Sequence, residues 1–397
     1  MLTNPSYFCV DSRHLKPDDI FVALPGDRVD GHDFLREAAQ KNAAAAIVSE
    51  NYNGPNFGLN LIRVPNTLLA LQNLAQETLK KNRKIVVGVT GTVGKTTCKD
   101  FIATLLSGRF HVACTLKSQN SKISLPLTIL NQSGRGEDIL VLEMGMSFPG
   151  EIQRLTEIAP PDIVVITAIS LVHAMNFDSL EEIARAKGEV LKHPKTVLGI
   201  IPEDEKTLLK IGSCRKQTFS ADDLDINHLP KHHLNNAAAA IAVCRHLGLS
   251  EEEIQQRIPL LKIPKGRGTS VEKKGVLFIN DAYNASPKSM KAALESMPAS
   301  KGKRVAVLGE MLELGKFSEE AHMEVGAFAL DHLDHLFCYG IHSDAMVKVW
   351  KEKGRSVQFL MKKNELLSAL RKAIEPGDVV LLKGSNSCRL WEILEEF

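Results

Sequence analysis

The stretch IVVGVTGTVGKTT, residues 85–97, decides the fold prediction for this 397-residue chain. An apolar, β-prone run leads into a glycine-rich turn, and Lys-Thr-Thr then opens a helix, an arrangement that holds nucleotide phosphates. Backbone N–H groups of such a loop bind phosphate oxygens, Lys95 adds a positive charge, and the Thr96 hydroxyl can bind Mg²⁺. The strict phosphate-loop pattern has glycine at position 89, where this chain has Val89. The sequence therefore predicts a variant phosphate loop, with a glycine-rich turn that binds no ligand as the alternative.

Composition predicts a soluble protein of roughly two to three domains. Hydrophobic residues make up 44% of the chain and charged residues 24%, and a net charge of +2 gives no basic field for nucleic acid. Seven cysteines without a C-x-x-C pair indicate reduced thiols rather than disulfides or zinc. Asp11 and Arg13 interrupt the position of a signal-peptide core, and no apolar run is long enough to span a bilayer. We therefore expect a cytoplasmic protein without membrane insertion.

The first 83 residues are predicted to form a small α/β domain. Apolar, β-prone runs predict strands at 19–24 and 45–49, and helical spacing of apolar residues predicts helices at 33–42 and 68–81. The second helix runs into the basic segment 80–84, which is typical of a solvated linker rather than of a binding patch.

Residues 84–264 alternate between strand and helix patterns and predict a central domain. Such βα alternation favours a parallel sheet covered on both faces. The segment 203–231 is polar and weakly patterned. The predicted strands are 86–90, 139–143, 163–167 and 197–201, and the predicted helices are 95–106, 180–192 and 234–247.

A second alternating series predicts a Rossmann-like domain at residues 265–397. A segment with two prolines and one glycine, 259–267, which Gly268 follows directly, is the predicted hinge between the two larger domains. The predicted strands are 276–281, 304–309, 335–340, 357–361 and 378–384, and helices at 287–297, 318–330, 344–353 and 365–374 fall between them. The fold class is therefore α/β with three domains.

Three residues of the central domain carry side chains that can bind a metal ion or accept a proton. Glu143 ends an apolar strand beside the phosphate loop, where a carboxylate can hold Mg²⁺. His173 follows another strand, and a lone histidine there is more often a satisfied loop residue than a ligand. Lys187 lies in an ordinary helical pattern, and its spacing alone predicts a surface lysine.

The hinge and the strand after it carry a second group of candidates. Arg267 could reach nucleotide phosphate when two domains close, as trans-acting arginines do, although a linker salt bridge is an equal alternative. Asp281, Tyr283 and Asn284 follow a strand, where ligand groups project from an open α/β sheet.

A third candidate is the turn KGS near the C-terminus, which contains Lys383 and Ser385. It joins a predicted strand to a helical segment, so it could bind an anion. A simple turn in which the serine caps the helix is the alternative.

A series of short motifs then resembles the Mur ligase family, and it covers nearly the whole chain. N-terminal DSR (11–13) and DGHDF (30–34) belong to the same resemblance. The other motifs, in family order, are TGTVGKTT (90–97), EMG (143–145), the His173 loop, AKGE (186–189), NAAAA (236–240), DAYNASP (281–287), VLGEMLELG (307–315) and KGS (383–385).

The resemblance implies an ATP-dependent amide ligase of cytoplasmic peptidoglycan precursor synthesis that uses Mg²⁺. The expected reaction joins D-alanyl-D-alanine to UDP-N-acetylmuramoyl-tripeptide through an acyl phosphate, in a monomer. Residues 1–83 would bind the UDP-muropeptide, 84–264 ATP, and 265–397 the incoming dipeptide. The alternatives are a sister ligase that adds the third amino acid, a folylpolyglutamate synthase, and a nucleotide-controlled binding protein without ligase activity.

The resemblance also implies roles for individual residues. Lys187 is similar to the lysine that is carbamylated in this family. The implied catalytic residues are Lys95, Glu143, His173 and Lys187, and the implied metal ligands are Thr96, Glu143, His173 and carbamylated Lys187. The implied ATP contacts are Gly91, Thr92, Val93, Gly94, Lys95, Thr96, Thr97, Asn236, Arg267, Asp281 and Asn284. The implied substrate contacts are Ser12, Arg13, Asp30, Gly31, His32, Asn120, Ser121, Lys383 and Ser385.

Four features depart from the family pattern. Ser121 stands where a second asparagine is usual, and Asn280 stands where Asp-Asp usually begins the tyrosine motif. Val93 replaces a small polar residue of the phosphate loop. The polar segment 203–231 is short, which predicts a reduced or missing β-subdomain.

Overall fold

Three separate sheets organise the chain in this computed structural model, which describes residues 7–26, 29–82, 84–171, 174–222 and 224–397. From the N-terminus the sheets contain four, six and six strands. Helices pack against each sheet, so the predicted α/β fold with three domains is confirmed. The domain limits after residues 83 and 264 stay predictions.

The N-terminal sheet is parallel throughout, in the order β1-β2-β3-β4. Its strands are β1 Phe8–Cys9, β2 Ile20–Val22, β3 Ala45–Ser49 and β4 Leu61–Val64. The helix predicted over 33–42 is a 3₁₀ turn at Gly31–Phe34 followed by α1 at Leu35–Gln40. Helix α2, Thr67–Lys81, begins where the Asn66 side chain accepts the N–H of Leu69.

The central sheet is parallel and has the order β10-β9-β8-β5-β7-β6. Its inner strands are buried almost throughout, as expected for a sheet with helices on both faces. The strands are β5 Ile85–Thr90, β6 Val112–Cys114, β7 Ile139–Glu143, β8 Ile163–Ile166, β9 Leu198–Pro202 and β10 Arg215–Phe219. The helices are α3 Lys95–Leu106, α4 Ser124–Gln132, α5 Glu151–Ile158, α6 Leu180–Lys187, α7 Lys206–Leu209, α8 Lys231–His246 and α9 Glu251–Arg257.

Two predictions about the central domain need correction. The helix predicted over 180–192 ends at Lys187 and continues as a 3₁₀ turn, Gly188–Lys192. The weakly patterned segment 203–231 contains α7 and the strand β10, which extends the sheet at its edge. Only Phe219 of that strand is buried, because an edge strand keeps much of its surface in water, and its polar sequence therefore resembled a loop.

The C-terminal sheet has the order β11-β12-β16-β13-β14-β15. Strand β11 pairs antiparallel with β12, and all other pairs are parallel. The strands are β11 Thr269–Lys273, β12 Val276–Asn280, β13 Arg304–Gly309, β14 His335–Tyr339, β15 Val357–Leu360 and β16 Val379–Lys383. The helices are α10 Pro287–Glu295, α11 Ser318–Ala329, α12 Asp344–Glu352, α13 Lys363–Ala373 and α14 Glu392–Glu396.

The junction between the first two sheets is fixed by buried polar contacts. The Asn131 side-chain amide of α4 accepts the N–H of Phe8 at 2.7 Å and donates to its carbonyl at 2.9 Å. Lys84, at the end of the basic segment predicted to be solvated, pairs with Glu137 at 2.9 Å, and only 11% and 5% of the two side chains are exposed. This end of the segment therefore forms an ion pair, shielded from solvent, at the start of the central sheet.

Candidate active site

The phosphate loop lies between the carboxyl end of β5 and helix α3. Gly91 and Gly94 have φ values of 139° and 86°, which favour glycine. A Cβ at Gly91 would lie 2.1 Å from Thr167 Oγ1, and one at Gly94 would lie 2.3 Å from Asn236 Oδ1. Val89, in contrast, is a fully buried residue of β5, registered between β7 and β8. The turn thus begins only after position 89, and the glycine of the strict pattern is not needed there.

Lys95 folds back over the loop that precedes it. Its Nζ donates to the carbonyl oxygens of Gly91 at 2.9 Å and of Thr92 at 3.2 Å. Burial lowers the pKa of Lys95, Glu143 opposes that shift, and Arg267 adds to it. The ammonium group is therefore held at the centre of the loop, where phosphate oxygens would improve its solvation.

Thr96 and Glu143 form a hydrogen-bonded pair beside the phosphate loop. The Thr96 hydroxyl donates to Glu143 Oε2 at 2.7 Å, and Asn120 Nδ2 donates to Oε1 at 2.7 Å. Glu143 is 1% exposed, and its backbone N–H donates to the Thr115 hydroxyl at 2.9 Å. A hydroxyl and a carboxylate that meet at one point are the hard oxygen donors that Mg²⁺ prefers.

Arg267 and Tyr283 of the C-terminal domain reach the same point. Arg267 donates to Thr96 Oγ1 at 2.9 Å, and its guanidinium carbon lies 3.9 Å from the centre of the Tyr283 ring. The Tyr283 hydroxyl donates to Ser118 Oγ at 2.8 Å, and Ser118 Oγ lies 3.1 Å from Thr96 Oγ1. A stacked, bonded arginine thus brings the C-terminal domain against the phosphate loop.

Lys383 and Asp281 form a buried ion pair behind this contact. Lys383 Nζ donates to Asp281 Oδ2 at 2.6 Å and to the Asn284 carbonyl at 3.1 Å. Lys383 is only 2% exposed. The pair therefore fixes the turn that carries Tyr283.

A cavity of about 1130 Å³ connects these groups. It runs from the phosphate loop past the start of α8 to the first turn of α10, so both larger domains line it. The residues that the sequence predicted for the site and that line this cavity are Thr92, Val93, Gly94, Lys95, Thr96, Thr97, Asn120, Glu143, Asn236, Arg267, Asp281, Tyr283, Asn284 and Lys383.

Comparison with known proteins accounts for this arrangement. Family models match residues 8–78 (Mur ligase family, catalytic domain), 89–225 (Mur ligase middle domain) and 266–386 (Mur ligase, glutamate ligase domain). A UDP-N-acetylmuramoyl-tripeptide–D-alanyl-D-alanine ligase of Bacillus subtilis is 35% identical over an alignment that covers 100% of this chain and 95% of the relative. The chain belongs to the Mur ligase family.

Solved Mur ligase structures share the whole architecture. MurF ligase from Thermotoga maritima, in complex with ADP, is 30% identical, with a TM-score of 0.84 over 99% of this chain and 97% of that one. MurF from Acinetobacter baumannii is 26% identical, with a TM-score of 0.89 over 100% and 94% of the two chains. Among the described residues, no helix is both long and apolar enough to cross a membrane.

Lys187, the residue that the Mur ligase resemblance singled out, is buried. It ends α6 and is 2% exposed, so the prediction of a surface lysine from its spacing is wrong. Burial, and then the positive charge of Lys95, lowers the pKa of Lys187 well below its ordinary value. His173, the remaining predicted metal ligand, lies outside the described residues.

The predicted muropeptide residues of the N-terminal domain lie in two well-bonded turns. Ser12 donates to Glu37 Oε2 at 2.7 Å, whereas Arg13 extends into solvent and pairs with Asp11 at 2.7 Å. His32 lies 2.6 Å from Asp30 Oδ1 through Nδ1 and accepts the Ser49 N–H at 2.9 Å through Nε2. Since Nε2 accepts, Nδ1 carries the proton.

Gly31, between Asp30 and His32, is required by a close backbone approach. A Cβ there would lie 2.6 Å from Leu24 N and 2.7 Å from Leu24 O. None of the five predicted residues in these two turns is among those that line the large cavity.

Two predicted serines also lie outside the cavity lining. Ser121 Oγ lies 3.1 Å from Ser124 Oγ in the exposed turn before α4. Ser385 is 4% exposed, and its hydroxyl accepts the Leu312 N–H at 2.9 Å instead of capping the 3₁₀ turn that follows it. This hydrogen bond therefore connects the KGS turn to Leu312, which directly precedes the ELG turn, residues 313–315.

Ser118, Thr167 and His233 belong to the site, although sequence reasoning did not select them. Ser118 lies in a loop, and Thr167, the last residue of the predicted strand 163–167, directly follows β8; each bonds to a residue far away in the chain. His233 opens α8 and looked like part of an ordinary helix end. Their roles depend on contacts between elements, for which a single sequence carries no signal.

Proposed function

We propose that this chain is an ATP-dependent ligase of the MurF type, which joins D-alanyl-D-alanine to the peptide carboxylate of UDP-N-acetylmuramoyl-tripeptide in peptidoglycan precursor synthesis. Curated relatives that match essentially the full chain carry this name. The observation that carries the proposal is the meeting of Arg267, from the C-terminal domain, with the Thr96–Glu143 pair. Such a site can stabilise charge on a phosphoryl group while two domains exclude water from it.

The reaction overcomes the low electrophilicity of a carboxylate. A carboxylate oxygen of the tripeptide attacks the γ-phosphorus of ATP, and the bond from that phosphorus to the ADP oxygen breaks. The amine of D-alanyl-D-alanine then attacks the acyl carbon, a tetrahedral intermediate forms, and inorganic phosphate leaves as the amine loses a proton. Lys95 and Arg267 would neutralise the transferred group, and exclusion of water protects the acyl phosphate from hydrolysis.

Thr96 and Glu143 are the described residues that would hold Mg²⁺. Their oxygens are 2.7 Å apart and fit this ion in chemical type. When bound, the ion would supply further positive charge to the phosphoryl oxygens. In the described part of the chain no three His, Cys, Asp or Glu side chains cluster. Mg²⁺ that is bound together with a nucleotide usually takes several of its ligands from water and phosphate oxygens.

Lys187 would act as a carbamate. A buried lysine with a lowered pKa is largely neutral, and a neutral amine can attack carbon dioxide to form a carbamate with release of one proton. The modification converts an amine, whose protonated form would repel Mg²⁺ and Lys95, into an anionic oxygen ligand. His173 would complete the ligand set.

The remaining assignments concern substrates and setting. We assign the UDP-muropeptide to residues 1–83 through Ser12, Arg13, Asp30, Gly31 and His32, and the dipeptide to residues 265–397. Ser121 and Asn120 would contact the muropeptide. The ELG turn (residues 313–315) and the KGS turn (residues 383–385) would face the peptide ends. The enzyme would act as a cytoplasmic monomer.

An ADP-release assay with omitted substrates tests the function. We expect ADP only when UDP-N-acetylmuramoyl-tripeptide and D-alanyl-D-alanine are both present, with lysine- and diaminopimelate-containing acceptors compared in parallel. Release that ignores both substrates would indicate an idle ATPase or a nucleotide switch. Release with UDP-N-acetylmuramoyl-dipeptide and a single amino acid would instead identify a sister ligase.

A further inference from the structure

His233 lies between the phosphate loop and the hinge arginine. It is 5% exposed, and its Nε2 lies 2.7 Å from the backbone carbonyl oxygen of Arg267. Because a carbonyl can only accept, Nε2 carries the proton. Burial lowers the pKa of His233, which keeps the ring neutral and leaves Nδ1 as an acceptor.

The second ring nitrogen determines the orientation of Asn236. Nδ1 of His233 lies 3.4 Å from Asn236 Nδ2, three residues further along α8, and accepts its hydrogen. The Asn236 amide oxygen therefore points the other way. It lies against Gly94, where a Cβ would be 2.3 Å from Oδ1. One histidine tautomer thus fixes the amide that packs on the phosphate loop.

The hinge itself depends on this support. Gly266 and Gly268 flank Arg267 and have φ values of 79° and 89°. Residues other than glycine rarely adopt such positive φ values, so the backbone on both sides of Arg267 requires glycine. The rings of His232 and His233 both pack on the hinge, 3.2 Å and 3.5 Å from the position of a Cβ at Gly268. The Arg267 side chain then returns to Thr96 at 2.9 Å.

We propose that His233 is a positioning residue that couples nucleotide binding at the phosphate loop to placement of the hinge arginine. Its Nδ1 side holds Asn236 against Gly94, and its Nε2 side holds the backbone of Arg267. The proposal rests on the proposed ligase function for its turnover readout only, since nucleotide affinity can be measured without ligation.

Three substitutions separate the two contacts. In His233→Gln the amide N–H is as many bonds from Cα as Nε2 is in histidine, so the donor to Arg267 is retained. In His233→Asn the amide oxygen is as many bonds from Cα as Nδ1 is, so the acceptor for Asn236 is retained. His233→Leu removes both. His246→Leu, at the exposed last residue of α8, is the matched control.

The test measures the Kd for ADP by calorimetry, and kcat and KM for ATP by ADP release. We expect His233→Gln to weaken ADP binding about tenfold with kcat retained, and His233→Asn to lower kcat about tenfold with the Kd retained, as for loss of one hydrogen bond each. His233→Leu should show both effects, and His246→Leu neither. Thermal unfolding of each variant shows whether it folds. If His233→Leu does not fold, the comparison of the Gln and Asn variants with wild type decides the test.

Equal losses of kcat and affinity in the Gln and Asn variants would overturn the coupling and leave His233 a packing residue. Wild-type affinity and turnover in His233→Leu would overturn it as well. If the wild-type protein binds ADP but does not ligate, the proposed function fails. The Kd values of the Gln and Asn variants then still decide the Asn236 half of the proposal.

Discussion

At the scale of single residues, the site depends on groups whose charge or hydrogen-bonding direction is set by burial. Glu143 accepts bonds from Thr96 and Asn120, so both of its side-chain oxygens are directed. For Lys187, burial lowers the pKa and so favours the neutral amine. Hydrogen bonding thus orients the oxygens of Glu143, whereas burial lowers the basicity of the Lys187 nitrogen.

The carbamate role of Lys187 predicts chemical rescue. Lys187→Ala should lower ligation roughly a hundred- to thousand-fold, as loss of a charge-stabilising group does. Added formate or acetate should restore part of the activity, because a small carboxylate can replace the missing oxygens. Lys192→Ala, at an exposed position of the following 3₁₀ turn, is the control and should behave like wild type. Full activity of Lys187→Ala without added acid would eliminate the role.

At the scale of elements, the start of the central sheet is fixed by the Glu137 carboxylate. It accepts the N–H groups of Gly134 and Arg135, both at 2.9 Å, and pairs with Lys84. Burial raises the pKa of Glu137, but these hydrogen bonds outweigh burial and lower it from 4.5 to about 2. The ion pair with Lys84 and the two hydrogen bonds therefore stabilise the fold only while Glu137 is ionised.

This lowered pKa predicts how stability depends on pH. A shift from 4.5 to about 2 corresponds to about 3 kcal/mol at 1.36 kcal/mol per unit. The contribution is fully present above the unfolded value of 4.5 and is lost as the pH falls towards 2. Urea unfolding of wild type and Glu137→Gln should differ by about that amount at pH 7 and converge in acid.

The control for this prediction is Glu77→Gln, which removes an exposed ion pair with Lys80. It should change stability little at any pH, because water and salt screen such pairs. A constant difference between wild type and Glu137→Gln from pH 7 to pH 2 would contradict the assignment.

Elements with strong local patterns were predictable, and those defined by their neighbours were not. The predicted ranges of β7, β13 and α3 match the observed ones, because each pairs a buried apolar face with clear end signals. Strand β10 was missed because its place at the edge of the sheet leaves it polar. For the site, the resemblance selected Lys187, whereas its burial and the Arg267–Thr96 contact became visible only in three dimensions.

At the scale of the whole molecule, the contacts between the central and C-terminal domains include two of very different kinds. Arg267 reaches Thr96 inside the site, stacked on Tyr283. Lys316 pairs with Asp178 at 2.8 Å, with 60% and 92% of the two side chains exposed. Exposed ion pairs contribute little, whereas a desolvated arginine at a phosphoryl group can contribute several orders of magnitude in rate.

Comparison of these two contacts predicts which one assembles the active enzyme. Arg267→Ala should lower kcat roughly a thousandfold or more, as loss of a trans-acting arginine does. Lys316→Ala should stay within about twofold of wild type, because water already solvates both partners. Steady-state ADP release with both substrates, at low and high salt, provides the measurement. A comparable loss in Lys316→Ala would mean that the surface pair, rather than the half-buried Arg267, holds the two domains in the reactive arrangement.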